Sequence, residues 1–137
     1  MSAPYIDHIG ILVADLDAAL SSLKPLLGEP ARVKVLPDVG LKVAEFDAAN
    51  VTVELLQYEG PAEFARQVMG ERLGLNHISA RVGDIGRALG ALKEAGLQPI
   101  AGFPRPGAHG TVAFFEPDPV TGLRFEICQP DEWGKDH

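Results

Sequence analysis

The sequence predicts an α+β fold in which two tandem βαβββ modules form one cupped, mostly antiparallel sheet with the helices outside. Two observations predict this fold. The first half of the chain is repeated in the second half, and each half carries one amphipathic helix among short β-rich runs. We expect a single domain over residues 1–137, with modules at about 4–60 and 74–130 and a linking helix at about 61–70.

One internal match opens both halves of the chain. At an offset of 69 residues, residues 6–30 align with residues 75–99. His8 falls on His77 in this register, and many of the apolar residues that follow also coincide.

A second match closes both halves. At an offset of 72 residues, residues 51–57 align with residues 123–129, and Glu54 falls on Glu126. The two offsets differ by three residues, which we expect to lie in the Pro/Gly-rich stretch 103–110. Each half therefore carries a histidine early and a glutamate late.

The first module is expected to consist of a strand, a helix and three further strands. Residues 5–13 are rich in β-forming side chains, and Asp15 is expected to cap a helix over residues 16–27, where leucines recur at helical spacing. The three strands that follow are separated by turn-forming stretches and are expected at 32–36, 41–46 and 51–56.

The second module is expected to repeat this order. Residues 74–82 form its first strand, and Asp84 caps a helix that ends at Ala95. The remaining strands are expected near 98–101, 111–115 and 123–129. The linking helix between the modules has Pro61 in its first turn.

Strand alternation decides which side chains can meet, because residues two apart on a strand share a face. The apolar residues next to the repeated histidines and glutamates on each strand, such as Ile9 and Phe125, point to the other face and are expected to pack on the helices. The repeated polar residues then share the opposite face: His8, Glu54, His77 and Glu126. A cup built from two curled modules would bring all four to its floor.

Two imidazoles and two carboxylates suit a borderline divalent cation such as Co²⁺, Mn²⁺, Ni²⁺ or Zn²⁺. A single strand histidine is usually structural, but two histidines and two glutamates at equivalent positions favour a metal site. We therefore predict one ion bound by His8, Glu54, His77 and Glu126. Six-coordinate geometry would leave two positions for a substrate, whose carbonyl the ion could polarise while a carboxylate removes the adjacent proton.

Arg124, Ser79 and His109 are predicted to contact the substrate. Arg124 and Arg81 are expected on the face of the four ligands, where each could hold an anionic group or form an ion pair with Glu45 or a ligand carboxylate. His109 lies in a glycine-containing loop and could close over a substrate or be exposed to solvent.

Composition and charge exclude several classes of function. The net charge of −7, without a cluster of basic residues, disfavours nucleic-acid binding. No run approaches the roughly 20 apolar residues of a membrane helix. Cys128 is the only cysteine, which excludes an internal disulfide and a thiolate-rich zinc site, so we expect it to pack as a small apolar group.

The two ends of the chain allow further expectations. Residues 1–5 lack the basic and apolar segments of a secretory signal, so a cytoplasmic location is expected. Trp133 and His137 lie in a polar tail, for which the sequence allows either disorder or a contact at an interface.

The openings of both modules resemble those of the vicinal-oxygen-chelate superfamily, which is also called the glyoxalase/bleomycin resistance/dioxygenase superfamily. The resemblance rests on Ile6-Asp-His-Ile-Gly-Ile11 followed by Asp15-Leu-Asp, and on Gly74-Leu-Asn-His-Ile78 followed by Asp84-Ile85. Within the superfamily, the chain is most similar to methylmalonyl-CoA epimerases. Four further segments carry this similarity: 36–40, 53–56, 104–107 and 125–128.

The resemblance implies roles for individual residues. The residues that match the family's metal ligands are His8, Glu54, His77 and Glu126. Glu126 would double as a catalytic base, and Asp38 sits at or near the position of the opposing acidic base. The implied activity is a 1,1-proton transfer next to a metal-bound carbonyl, with methylmalonyl-CoA as the first substrate to test. A homodimer is also implied.

Other functions of the superfamily remain open. The same ligand set serves glyoxalase I-like lyases, whereas ring-cleaving dioxygenases use a three-ligand iron site and fit less well. A bleomycin resistance-like protein would bind a small molecule without catalysis, usually without the metal. The chain departs from the usual epimerase pattern at Asp38, Asn76 and Glu116-Pro117, and Asp38 can equally be a turn residue before Gly40.

Overall fold

The computed structural model of the chain describes residues 3–131, so Trp133 and His137 lie outside the described residues. Within this range the fold class is α+β, as predicted. The helices are α1 (Leu16–Leu27), α2 (Glu63–Met69) and α3 (Ile85–Glu94). The strands are β1 (Tyr5–Leu12), β2 (Arg32–Leu36), β3 (Leu41–Asp47), β4 (Thr52–Tyr58), β5 (Gly74–Arg81), β6 (Arg105–Gly107), β7 (Gly110–Phe114) and β8 (Arg124–Gln129). None of the helices among residues 3–131 is long and apolar enough to cross a bilayer.

The described residues divide into two compact units. The His8 unit is His8–Asn76, and the His77 unit consists of the described residues of Met1–Asp7 and His77–His137. Strand order in the His8 unit is β2-β3-β4-β1, and in the His77 unit it is β5-β8-β7-β6. The β1–β4 and β5–β8 pairs are parallel, whereas the other pairs within each unit are antiparallel. The predicted single domain over 1–137 stays a prediction.

The second module differs from the prediction in one strand. Residues 98–101 do not form a strand; Pro99 makes only a single bridge to Phe115. Two backbone hydrogen bonds flank this bridge, from the N–H of Ile100 to the carbonyl oxygen of Phe114 at 2.9 Å and from the N–H of Glu116 to that of Gln98 at 2.8 Å, and the pairing is confined to it. The module instead contains β6, which the sequence did not predict and which forms a hairpin with β7. Gly110 has a φ of 93°, and a Cβ at this position would lie 2.3 Å from the carbonyl oxygen of Gln129, so the hairpin requires glycine here.

The linking helix is shorter than predicted. It begins at Glu63, and Pro61 lies before its first turn. Ala62 has a left-handed conformation with a φ of 46°, which prevents the helix from extending back to Pro61.

Both module helices are capped by the predicted aspartates. The backbone N–H of Ala18 donates to Oδ1 of Asp15 at 3.1 Å, and that of Arg87 donates to Oδ1 of Asp84 at 3.0 Å. These bonds satisfy donors that a helix leaves unpaired at its N-terminus.

A repeated glutamine adds a second bond to each helix. Oε1 of Gln57 accepts the backbone N–H of Leu16 at 2.6 Å, and Oε1 of Gln129 accepts that of Ile85 at 2.9 Å. Gln129 is the last residue of β8, and Gln57 is the last but one of β4. The repeated glutamines therefore fasten the start of a helix to the end of a strand.

The helix-facing side of each sheet forms an apolar cluster. In the His8 unit the buried members are Leu16, Ala44, Phe46 and Leu55. In the His77 unit they are Ile85, Leu89, Ala113, Phe115 and Ile127. Ile11, Val13, Val53 and Phe125 pack against these clusters, which confirms the helix-facing side predicted for Phe125. Because strand side chains alternate, Glu45, Glu54 and Glu126 lie on the opposite face.

Removing a glutamine cap is expected to destabilise the protein. Gln57→Ala or Gln129→Ala leaves a helical N–H without its acceptor and should lower the free energy of unfolding by about 1–2 kcal/mol. Urea denaturation measures this change. Gln67→Ala, at an exposed position of α2, is the control and should stay within about 0.5 kcal/mol of the parent. Equal effects of Gln57→Ala and Gln67→Ala would contradict the capping role.

Candidate functional site

The His8 half-site consists of His8 and Glu54. On the parallel strands β1 and β4, His8 lies opposite Thr52, and Gly10 lies opposite Glu54. Nε2 of His8 lies 3.7 Å from Oε1 of Glu54, which is too long for a direct hydrogen bond between them. Two atoms that bind one ion, each at about 2.1 Å, lie about 3.0–3.5 Å apart. The observed separation is close to the spacing of two ligands of one ion.

The His77 half-site has the same register. On the parallel strands β5 and β8, His77 lies opposite Arg124, and Ser79 lies opposite Glu126. The imidazole of His77 packs edge-on against Phe114, with ring centroids 5.1 Å apart. The histidine and glutamate of each half-site thus occupy equivalent ladder positions.

The donor set fits a divalent cation. Each half-site supplies one imidazole and one carboxylate, and none of the four residues is more than 5% exposed. Burying such groups is unfavourable unless a partner compensates them. Imidazole and carboxylate together are typical ligands of Mn²⁺, Co²⁺, Ni²⁺ and Zn²⁺. The prediction that these residues bind a metal is consistent with the chemistry of both half-sites.

Glu45 is a buried residue of this face to which the sequence assigned no role of its own. It is 0% exposed and lies directly opposite Glu54 in the β3–β4 ladder. Its Oε1 accepts a hydrogen bond from Nε of Arg32 at 2.8 Å and lies 3.1 Å from Nζ of Lys34. The alternation of apolar Ala44 and polar Glu45 along β3 is the sequence signal that places Glu45 on the face of the candidate ligands.

Arg32 connects Glu45 to the exposed Asp47. Nη1 of Arg32 donates to Oδ2 of Asp47 at 2.9 Å, and the guanidinium forms a second bond to the other oxygen of the same carboxylate. The hydrogen bonds to Asp47 and then to Glu45 raise the pKa of Arg32 above its usual value. The same hydrogen bond lowers the pKa of Asp47. Arg32 therefore remains a cation.

A family match identifies the scaffold on which these half-sites lie. Residues 7–115 match the family model described as the Glyoxalase/Bleomycin resistance protein/Dioxygenase superfamily. The chain belongs to this superfamily. The resemblance found in the two module openings is thereby confirmed.

Individual relatives align with nearly the whole length of this chain. The chain is 32% identical over 130 residues to the uncharacterised protein YqjC of Bacillus subtilis, covering 91% of each chain. It is 33% identical over 129 residues to an ethylmalonyl-CoA/methylmalonyl-CoA epimerase of Cereibacter sphaeroides, covering 90% of this chain and 96% of that one. The crystal structure of hypothetical protein BH1468 from Bacillus halodurans is similar with a TM-score of 0.79 and 32% identity, over 96% and 97% of the chains.

Arg81 of this superfamily member pairs with Asp7, a partner that the sequence did not indicate. Its Nε lies 2.6 Å from Oδ1 of Asp7, which is buried, and its guanidinium lies 4.4 Å from the ring centroid of Tyr5. Burial lowers the pKa of Arg81, but the hydrogen bond to Asp7 and the attraction of nearby negative groups, chiefly Asp7, together outweigh this effect and the pKa is raised. Burying Asp7 requires such a cation.

His109 is not the solvent-exposed loop residue that the sequence allowed. It lies in the turn between β6 and β7, its side chain is mostly buried, and its Nδ1 lies 3.3 Å from Oδ2 of Asp7. The tight hairpin turns this side chain towards Asp7. Its predicted contact with a substrate stays a prediction.

The remaining candidates lie at different depths. Asp38 is exposed in the turn between β2 and β3, as its interpretation as a turn residue expects. Ser79 is fully buried, whereas Arg124 is half-buried and shares the face of Glu126 two residues further along β8.

Asn76, a departure from the epimerase pattern, donates from Nδ2 to the carbonyl oxygen of Met69 at 2.8 Å. This bond ties the start of β5 to the end of α2.

Cys128 is expected to be chemically inert in the folded protein. It is fully buried, and burial raises the pKa of its thiol to about 12. At pH 8 the thiolate fraction is then on the order of a thousandfold smaller than for an exposed cysteine of pKa about 8.5. The native protein should react very slowly with an aromatic disulfide reagent, and the unfolded protein should react at once. Rapid reaction of the native protein would show that the thiol is accessible.

Proposed function

We propose that this protein is a metal-dependent isomerase that moves the proton α to the carbonyl of an acyl-CoA such as methylmalonyl-CoA. The observation that carries the proposal is the pair of equivalent buried half-sites, each with one histidine and one glutamate in the same strand register. The substrate class is supported by the relative from Cereibacter sphaeroides, which is named as an ethylmalonyl-CoA/methylmalonyl-CoA epimerase.

The metal would be held by all four residues of the half-sites, His8, Glu54, His77 and Glu126. Two imidazoles favour Co²⁺, Mn²⁺, Ni²⁺ or Zn²⁺ over a hard cation, and two carboxylates match its charge. The bound cation would polarise the substrate carbonyl and stabilise the negative charge that develops beside it.

Glu126 is the proposed catalytic base of the His77 half-site. Phe114 lies opposite Glu126 in the β7–β8 ladder, and Phe103 packs on Phe114 with ring centroids 5.6 Å apart. The neighbouring ring of Phe114 and the burial of Glu126, which is 5% exposed, favour direct proton transfer with the substrate carbon. Arg124, half-buried on the same face, would hold an anionic group of the substrate.

Returning the proton to the other face of the carbon requires a second acid. Asp38, in the turn between β2 and β3, stays the candidate for this step, and His109 and Ser79 stay candidates for substrate contact. A homodimer and a cytoplasmic location are further proposals that rest on the sequence alone.

Metal binding is the first consequence of the proposal to test. After chelation and reloading with Co²⁺ or Mn²⁺, elemental analysis should find near-stoichiometric metal in the parent protein and little in Glu126→Gln. Glu116→Gln, at an exposed position after β7, is the matched control and should retain the metal. Absence of metal from every protein would overturn the enzyme proposal and favour a small-molecule-binding protein of the bleomycin resistance kind.

Proton transfer is the second consequence. The metal-loaded protein should exchange the α-proton of methylmalonyl-CoA with deuterium from D₂O, measured by mass spectrometry. Glu126→Gln, compared at saturating metal, should lower the exchange rate by about 10²–10⁴-fold, because a positioned base contributes on this scale. Glu116→Gln should exchange at the parent rate. A metal-loaded protein that does not exchange this proton but converts a glutathione hemithioacetal would be a lyase instead.

A further inference from the structure

The two half-sites differ in the residue beside the glutamate. Glu45 lies opposite Glu54 in the β3–β4 ladder, whereas Phe114 occupies the equivalent place opposite Glu126 in the β7–β8 ladder. Like charges directly opposite each other in an antiparallel ladder are destabilising. The His8 half-site therefore contains an unfavourable pair that the His77 half-site avoids.

Two cations on β2 offset the charge of Glu45 from one side. Arg32 lies opposite Glu45 in the β2–β3 ladder, and Lys34 follows two residues later on the same face. Both contact the same oxygen, Oε1 of Glu45. Their side chains are 44% and 35% exposed, whereas that of Glu45 is 0% exposed. The carboxylate is thus buried beneath partly exposed cations.

Arg32 does not need Glu45 to complete an ion pair. Its guanidinium already forms two hydrogen bonds with Asp47, whose side chain is 50% exposed. An uncharged residue at position 45 would leave that pair intact and remove a buried charge beside Glu54. The presence of a carboxylate at this position therefore requires another explanation.

The order of residues across the sheet suggests an explanation for the carboxylate at position 45. Arg32, Glu45 and Glu54 lie in one row on three neighbouring strands, which are spaced by about 4.8 Å. Glu45 thus stands between the two cations and the carboxylate of the His8 half-site. Without it, Glu54 would become a nearby anionic partner for Arg32 and Lys34.

We propose that Glu45 is a positioning residue of the metal site. It holds Arg32 and Lys34 away from Glu54, and its own negative charge strengthens the attraction of the site for a divalent cation without ligating it. This inference rests on the proposed function, because it assumes that Glu54 binds a metal.

The test is a competition titration of Co²⁺ against a chromophoric chelator. Glu45→Gln should weaken Co²⁺ binding by about 10–100-fold, the range found when residues that support metal ligands are changed. Asp47→Asn, the matched control, removes the other carboxylate partner of Arg32 and should change affinity by less than about threefold because that carboxylate is exposed and screened.

Removing the cations separates this role from a merely structural one. In the triple variant Arg32→Met, Lys34→Met and Glu45→Gln, nothing competes for Glu54, so affinity for Co²⁺ should recover towards the parent value. A structural role predicts the reverse, because more contacts are lost. If Glu45→Gln does not fold, Lys34→Met in the parent keeps the proposal testable and should tighten Co²⁺ binding by about threefold through loss of a nearby positive charge.

The outcomes distinguish this inference from the proposed function. Equal affinities of the parent, Glu45→Gln and Asp47→Asn, with binding still dependent on Glu126, would overturn the positioning role alone. A triple variant weaker than Glu45→Gln, or a Lys34→Met variant that binds no tighter than the parent, would also overturn it. A parent protein that does not bind Co²⁺ would overturn both.

Discussion

The parallel pairing of the first and last strands of each module is the constraint on which the candidate site depends. Such a pair needs a long crossover, which the helix and the two middle strands supply. The glutamine near the end of the last strand bonds the first helical N–H and fixes where the crossover begins. A histidine on the first strand and a glutamate on the last strand therefore share one face in both units.

The two half-sites share this register but differ in their electrostatic surroundings. The His8 half-site adjoins a charged row in which Arg32 and Lys34 compensate Glu45. The His77 half-site adjoins aromatic rings. A duplicated backbone thus carries two environments, a row of charges beside one half-site and aromatic rings beside the other.

Periodicity made most of the fold and the candidate ligands predictable. The repeat located both half-sites, because alternation and helical spacing are local properties of the sequence, and it placed α1 at its observed bounds. Contacts set by strand register were not predictable in this way. The partner of Glu45 follows from the β2–β3 pairing, and the partner of Arg81 lies 74 residues away at Asp7. The strand predicted at 98–101 is reduced to a single bridge between Pro99 and Phe115, a pairing that local periodicity does not determine.

The most direct test of the central claim is a crystal structure of the Co²⁺-loaded protein with anomalous scattering measured at the cobalt edge. The account predicts one strong anomalous peak per chain within about 2.0–2.2 Å of an imidazole nitrogen of His8 and of His77, and of carboxylate oxygens of Glu54 and Glu126. A peak bound by residues of one unit only, or a fully loaded crystal without a peak at these residues, would contradict it.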